Sequence, residues 1–247
     1  MKKNIGIALS FIVVYVIFLV ALAPASLVTK WVTLPNYVQL QGLSGTLWQP
    51  KITRLVVQNL AIHNIEAKLS PLSLLSLSPV VAANFGGGLH EGPEGKTTLE
   101  LTSQSLQLTD TQVEFSADLV VPYLPSPVPI KAFGLVIVDV KTLTMEGGKC
   151  MNAEGVVHWR NGALDAFNES VDLGEFTGQI SCQNSMLTLD IAANNSLGLS
   201  FTTQVSSNSR VSGSGFVKPG ASFPAKLKDL LPFIGKPDSQ GRYRVRF

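Results

Sequence analysis

Three histidines, two cysteines and scattered carboxylates are the residues of this chain with chemistry in reach. His63, His90 and His158 lie far apart and show no zinc-ligand spacing, so each reads as an ordinary surface or half-buried residue. Gly95-Lys96-Thr97 looks like the end of a phosphate-binding loop. Such a loop needs a glycine five positions before Gly95, and His90 stands there, so the segment reads as a turn into a strand. Glu91 and Glu94 fall in chain rich in Gly and Pro, where solvation accounts for them more simply than acid–base work. No G-x-S-x-G elbow or other nucleophile signature is present. The chain is therefore read as not an enzyme, with no catalytic residue, no metal site and no cofactor.

The elements that would position any site begin with an apolar N-terminus. Lys2 and Lys3 precede an uncharged stretch whose apolar heart runs from Ile5 to Ala23, 19 residues. That is close to the ~20 residues a membrane-spanning helix needs. The two lysines hold the N-terminus in the cytoplasm by the positive-inside rule, which sends the remainder across the membrane. Ala23-Pro24-Ala25 offers an A-x-A pattern for cleavage after Ala25, but the apolar run exceeds the ~7–15 residues of a signal-peptide core. The expected organisation is a cytoplasmic tip over 1–4, a transmembrane helix over 5–23 and an exported domain over 24–247.

Export bears on Cys150 and Cys182. Exported compartments are oxidising, so two cysteines there are expected to pair; two buried free thiols are the alternative. No C-x-x-C is present to suggest a redox pair.

Composition narrows the class. Charged residues are 15%, hydrophobic residues 45%, mean hydropathy +0.27 and net charge +2. This excludes a disordered chain and argues against nucleic acid as a partner, since no dense basic stripe appears. The charge is unevenly spread. Residues 30–209 carry 9 basic and 15 acidic side chains, whereas 210–247 carry 8 basic and 2 acidic. The two stretches either neutralise each other within the domain or steer a charged partner.

Period-2 alternation dominates the exported part. Ile65, Ala67 and Leu69 form one such set. Val113, Phe115, Ala117, Leu119 and Val121 form a second, and Leu197 to Val205 a third. Tyr243, Val245 and Phe247 alternate with Arg242, Arg244 and Arg246, which makes an apolar side and a candidate docking face of three arginines. Turn signals stand between these sets: Gly86-Gly87-Gly88, Gly92-Pro93, Gly147-Gly148, Asn161-Gly162 and Asn194-Asn195. Short helices are expected over 71–76, with Ser70 as cap and Pro71 at the first position, and over 224–233. The proline-rich stretch 122–129 is a connector and a candidate boundary within the domain. The fold class expected is all-β, with antiparallel strands arranged either as a sandwich or as a curved sheet forming a groove.

Just after the anchor, Leu34-Pro35 is followed by Val38-Gln39-Leu40-Gln41 and then Gly42-Leu43-Ser44-Gly45-Thr46-Leu47-Trp48. Together with the anchor position, the length and the later Lys149-Cys150, Gly155, Trp159 and Cys182, this resembles the type II secretion system protein N family. Pro50 departs from the family pattern, where a small residue is more usual. The resemblance implies a single-pass protein of the bacterial inner membrane with a periplasmic domain and no enzymatic activity. It implies as partners the other secretion subunits, in the inner-membrane platform and in the outer-membrane secretin. It also implies a relation to AsmA-like proteins, whose long curved sheets form grooves.

Two functions follow. One is a scaffold or assembly component of the secretion machine. The other is a groove that binds lipid or another hydrophobe. A closed core with exposed strand edges would favour the first, and an apolar channel along the sheet the second. Gly42 and Gly45 are expected at a bulge or close backbone approach, with Trp48 closing the sheet near the membrane.

Overall fold

The computed structural model describes residues 2–27, 35–87, 92–123, 130–166, 169–208 and 210–246. His90, Glu91, Gly88, Leu34, Phe247 and the prolines beyond Pro122 in the mid-chain connector lie outside the described residues.

The chain opens with helix α1, Lys2–Ala21. From Phe11 to Val20 its large apolar side chains are 47–73% exposed. Among the described residues no helix is long and apolar enough to cross a membrane.

Thirteen strands then form one sheet in which spatial order follows chain order. Every pairing is antiparallel. The first six are β1 (Val38–Gly45), β2 (Pro50–Val57), β3 (Leu60–Leu69), β4 (Val80–Phe85), β5 (Glu94–Leu101) and β6 (Ser105–Ser116). The long middle is β7 (Ile130–Glu146), β8 (Lys149–Ala166) and β9 (Glu169–Gln183). The last four are β10 (Met186–Ile191), β11 (Leu199–Val205), β12 (Val211–Val217) and β13 (Tyr243–Arg246). Short turns between alternating strands favour this arrangement, because a hairpin needs only a few residues and no crossover. The mid-chain connector does not interrupt the sheet: β6 and β7, on either side of it, pair from Ser105↔Glu146 to Ser116↔Leu135.

A sandwich is not what forms. Strands contact their sequence neighbours, and among the described residues β1 and β13 are the two free edges of a single layer. The buried core is correspondingly small; Ala132, Ile137 and Val140 of β7 are buried, and two clusters lie toward the C-terminal strands. Val171, Leu173 and Phe176 of β9 form one cluster, joined by Trp159 and Leu164 of β8. Val217, Phe223 and Leu231 form the next, against Tyr243 and Val245. Leu197, Leu199 and Leu227 link the two, so the segment after β12 serves as a local lid.

Three sequence expectations need correction. Ala117, Leu119 and Val121 do not extend β6; they lie in a 3-10 turn, Ala117–Tyr123, that contains Pro122. Proline cannot donate to a ladder, and the chain leaves the sheet before reaching it. Asn161-Gly162 is not a turn but an irregularity inside β8, where Asn161 takes φ 49° and the β8–β9 register shifts. The stretch expected as one helix over 224–233 divides into a 3-10 turn, Ala225–Leu230, and a one-turn α-helix, Leu231–Ile234. Pro232 stands in the first turn of that helix, where its missing donor costs nothing. The other short helix, α2, is Pro71–Leu75, with Ser70 before it in extended conformation. The one-turn helix is α3.

Candidate functional site

Strand register sorts the side chains into two opposed faces. Residues directly opposite one another in an antiparallel pair share a face. One row runs Phe85, Gly95, Val113, Val138, Val157, Gly178, Ile191, Phe201, Gly215 and Val245, crossing β4 to β13 without a polar residue. None of these residues is exposed, and only Gly178 is fully buried. A second row on the same side joins Leu69, Val81, Leu99, Leu108, Leu143 and Ala153.

The neighbouring row runs Ser44, Lys51, Glu66, Asn84, Lys96, Gln112, Asp139, Val156, Gln179, Asp190, Thr202, Ser214 and Arg246. It crosses all thirteen strands with one apolar member. Lys51 and Glu66 form an ion pair at 2.6 Å within it, and Gln183 and Thr202 both donate to Asp190. An open concavity of about 490 Å³ lies on this side, around Lys96, Asp139, Lys141 and Glu154. Lys141 and Glu154 pair at 3.1 Å within it.

The segment Gly42–Trp48 forms the end of the first hairpin. Gly42 (φ +68°) and Gly45 (φ +81°) take the left-handed region in β1. A Cβ at Gly42 would collide with the Thr53 side chain, and one at Gly45 with the Gln49 carbonyl. Both glycines are thus required twice over, by backbone and by space. Pro50, the departure from the family pattern, opens β2 directly opposite Gly45. Thr46 forms a bridge to Pro24, and the Leu47 amide donates to Ala23 O at 2.9 Å. The Trp48 indole Nε1 donates to Val20 O at 2.9 Å, and Trp48 O accepts from the Leu69 amide at 2.8 Å. Ala25 is buried at 1% exposure. The motif is thereby a joint between the end of α1 and the start of the sheet. Trp48 is half-buried and bonded to helix backbone, and does not sit in a core.

Cys150 and Cys182, 32 positions apart in the chain, are disulfide-bonded with Cα atoms 5.5 Å apart. The bond ties the start of β8 to the end of β9, and Cys150 is buried.

The three arginines do not act alike. Arg244 and Arg246 are exposed on β13, opposite Phe216 and Ser214. Arg242 lies just before the strand, its guanidinium 4.4 Å from the centre of the Phe216 ring and 2.8 Å from Asp238. Hydrogen bonding from the Arg242 backbone amide, with further help from its side chain and the Gln240 amide, holds the Asp238 carboxyl below its ordinary range.

Among the described residues, those weighed for chemistry are not gathered into one group. His158 Nδ1 lies 3.3 Å from Thr177 Oγ1 within the sheet, and Lys96 is a strand residue in the polar row. Among the described residues no group of three or more His, Cys, Asp or Glu could hold a metal ion. The two opposed rows were the feature that sequence reasoning missed, since register is set across strands and not along them.

The model of the family described as "Type II secretion system (T2SS), protein N" matches residues 36–246. The protein named Type II secretion system protein N from Aeromonas hydrophila is 29% identical over the whole of this chain and 98% of its own length. The protein of that name from Vibrio cholerae is 29% identical over 98% of this chain and 97% of its length. That from Pectobacterium carotovorum is 24% identical over 100% and 97%. No solved structure gives a significant match.

Proposed function

Because the chain belongs to the type II secretion system protein N family, we propose that it serves as a non-enzymatic scaffold or assembly component of the type II secretion machine. In this reading α1 anchors it in the inner membrane, and its sheet stands in the periplasm beside the platform subunits and the secretin. The family match over residues 36–246 carries the assignment, since it spans the whole sheet.

Two observations support the anchor. The apolar run Ile5–Ala23 begins ahead of Ser10, where the described side chains start, and is long enough for a bilayer. Cleavage after Ala25 would also remove the carbonyls of Val20 and Ala23 that Trp48 and Leu47 bind. The exposed β13 edge, with Arg244 and Arg246 beside it, supports docking of an acidic extended segment by strand addition.

A second reading is favoured by the uninterrupted apolar row from Phe85 to Val245. A single-layer sheet with a half-buried apolar row along one face suits a curved groove that holds acyl chains or another hydrophobe. One experiment separates the two. A photo-crosslinking amino acid is placed at Arg244 and, separately, at Val138, in cells with an active secretion system. Protein adducts with secretion subunits from Arg244 support the first reading; lipid adducts from Val138 support the second. Adducts with neither class would refute both.

A further inference from the structure

Three exposed leucines stand beside the joint between α1 and the sheet. Leu72 and Leu77 are 77% and 84% exposed, and Leu74 is 39% exposed, all within the α2 segment that connects β3 to β4. A surface leucine alone means little. Here the backbone is arranged to keep the group outward. Ser73 Oγ donates to Ser70 O at 2.7 Å and accepts from the Val80 amide at 2.8 Å, and the Ser70 amide donates to Val80 O. The Leu77 and Ser78 amides close the turn on Leu74 O and Ser73 O.

Leu77 itself takes φ 56°, in the left-handed region where glycine or asparagine ends a helix. A leucine there is strained, and at 84% exposure its side chain gains almost no burial against the described residues.

The position of the segment names the occupant. Trp48 binds the end of α1 through its indole, and its carbonyl accepts from Leu69, one residue before the Ser70 that precedes α2. Leu22, just after α1, and Leu27, in the 3-10 turn that follows, are exposed as well, at 67% and 40%. The exposed apolar surface of α1 thus leads, through one hydrogen-bonded joint, to a second apolar group on the same end of the sheet.

We propose that the α2 leucines insert into the membrane interface beside α1, so that the sheet rests on the bilayer through two apolar contacts and its orientation is fixed. Lipid is the occupant because α1 leaves a lipid-facing surface next to it, and because a short segment with its leucines outward matches the shallow depth of an interfacial contact. The inference rests on the anchor reading of α1.

The test uses the full chain in vesicles. The native cysteines are paired, so a single introduced cysteine takes an environment-sensitive fluorophore. Four labelled variants are compared: Phe11→Cys within α1, Leu72→Cys and Leu77→Cys in the α2 segment, and Asn59→Cys in the β2–β3 turn at the opposite end of the sheet. Lipids brominated along the acyl chain serve as quenchers. Expected is strong quenching at Phe11→Cys, a drop of about twofold at Leu72→Cys and Leu77→Cys, and none at Asn59→Cys, as suits shallow insertion. Quenching at Phe11→Cys with both leucine positions behaving like Asn59→Cys would overturn the interfacial contact and leave the anchor standing. No quenching at Phe11→Cys would overturn the anchor reading and the inference with it.

Discussion

Trp48 and Val20, 28 positions apart, are joined by an indole N–H donated to a helix carbonyl at 2.9 Å. The carbonyls in the last turn of a helix lack partners within it; Val20 O accepts a long bond from the Ala23 amide at 3.4 Å, and the indole from the first hairpin adds a shorter one. With the Leu47 amide bond to Ala23 O and the Thr46–Pro24 bridge, it ties the first hairpin to the end of α1 and the turn after it.

Trp48→Phe keeps most of the ring and removes the donor, at a cost of about 1 kcal/mol. Hydrogen exchange at the amides of Leu47 and Leu69, which bond across the joint, should accelerate by about fivefold, with little change in β7 to β9. Equal acceleration throughout the sheet would mean that Trp48 supports the whole fold.

Gly42→Ala should destabilise the protein by about 1–3 kcal/mol, because φ +68° and the Thr53 side chain both oppose a Cβ. In the double variant with Thr53→Ala part of the loss should return, since the collision is relieved while the backbone strain stays. Denaturant midpoints of the four chains measure this, and full additivity would show that Gly42 and Thr53 do not interact.

Cys182→Ser should lower stability by about 2–4 kcal/mol in denaturant unfolding, the range for a loop of this length. The wild-type chain, denatured without reductant, should take up no thiol reagent. Labelling of both cysteines would contradict the pairing.

The Asp238 carboxyl should titrate below its ordinary value, and the midpoint should rise in Arg242→Gln. Since the folded value is depressed, ionised Asp238 favours the folded loop. That contribution is present at neutral pH and is lost as the pH falls through the depressed value. The Arg242 backbone amide, the largest cause of the depression, is kept in that variant, so the rise reports the guanidinium alone; carboxyl carbon shifts followed by NMR give both midpoints, and identical midpoints would mean that the Arg242 side chain does not contribute.

Parts of four strands, β3, β6, β11 and β13, were readable from alternation, as in Ile65, Ala67 and Leu69 of β3. The Gly147-Gly148 turn and the helix after Ser70 were readable from local chemistry as well. What escaped is what depends on register or on a distant partner. Asn161-Gly162 has the chemistry of a turn, yet the long pairing of β7 with β8 makes it a bulge. Leu77 carries none of the residue types that announce a left-handed conformation. The Trp48–Val20 bond joins segments with no shared pattern. The resemblance located Gly42–Trp48 as distinctive, and only the structure showed that the segment grips the helix.

Purification of the assembled secretion machine tests the central claim most directly. Membranes are solubilised, the machine is captured through a tag on a different subunit, and this chain is quantified by mass spectrometry against an unrelated single-pass inner-membrane protein. The account predicts co-enrichment of this chain with the tagged subunit, including peptides from its N-terminal lysines as evidence of an uncleaved anchor. Recovery no greater than that of the unrelated membrane protein would contradict it.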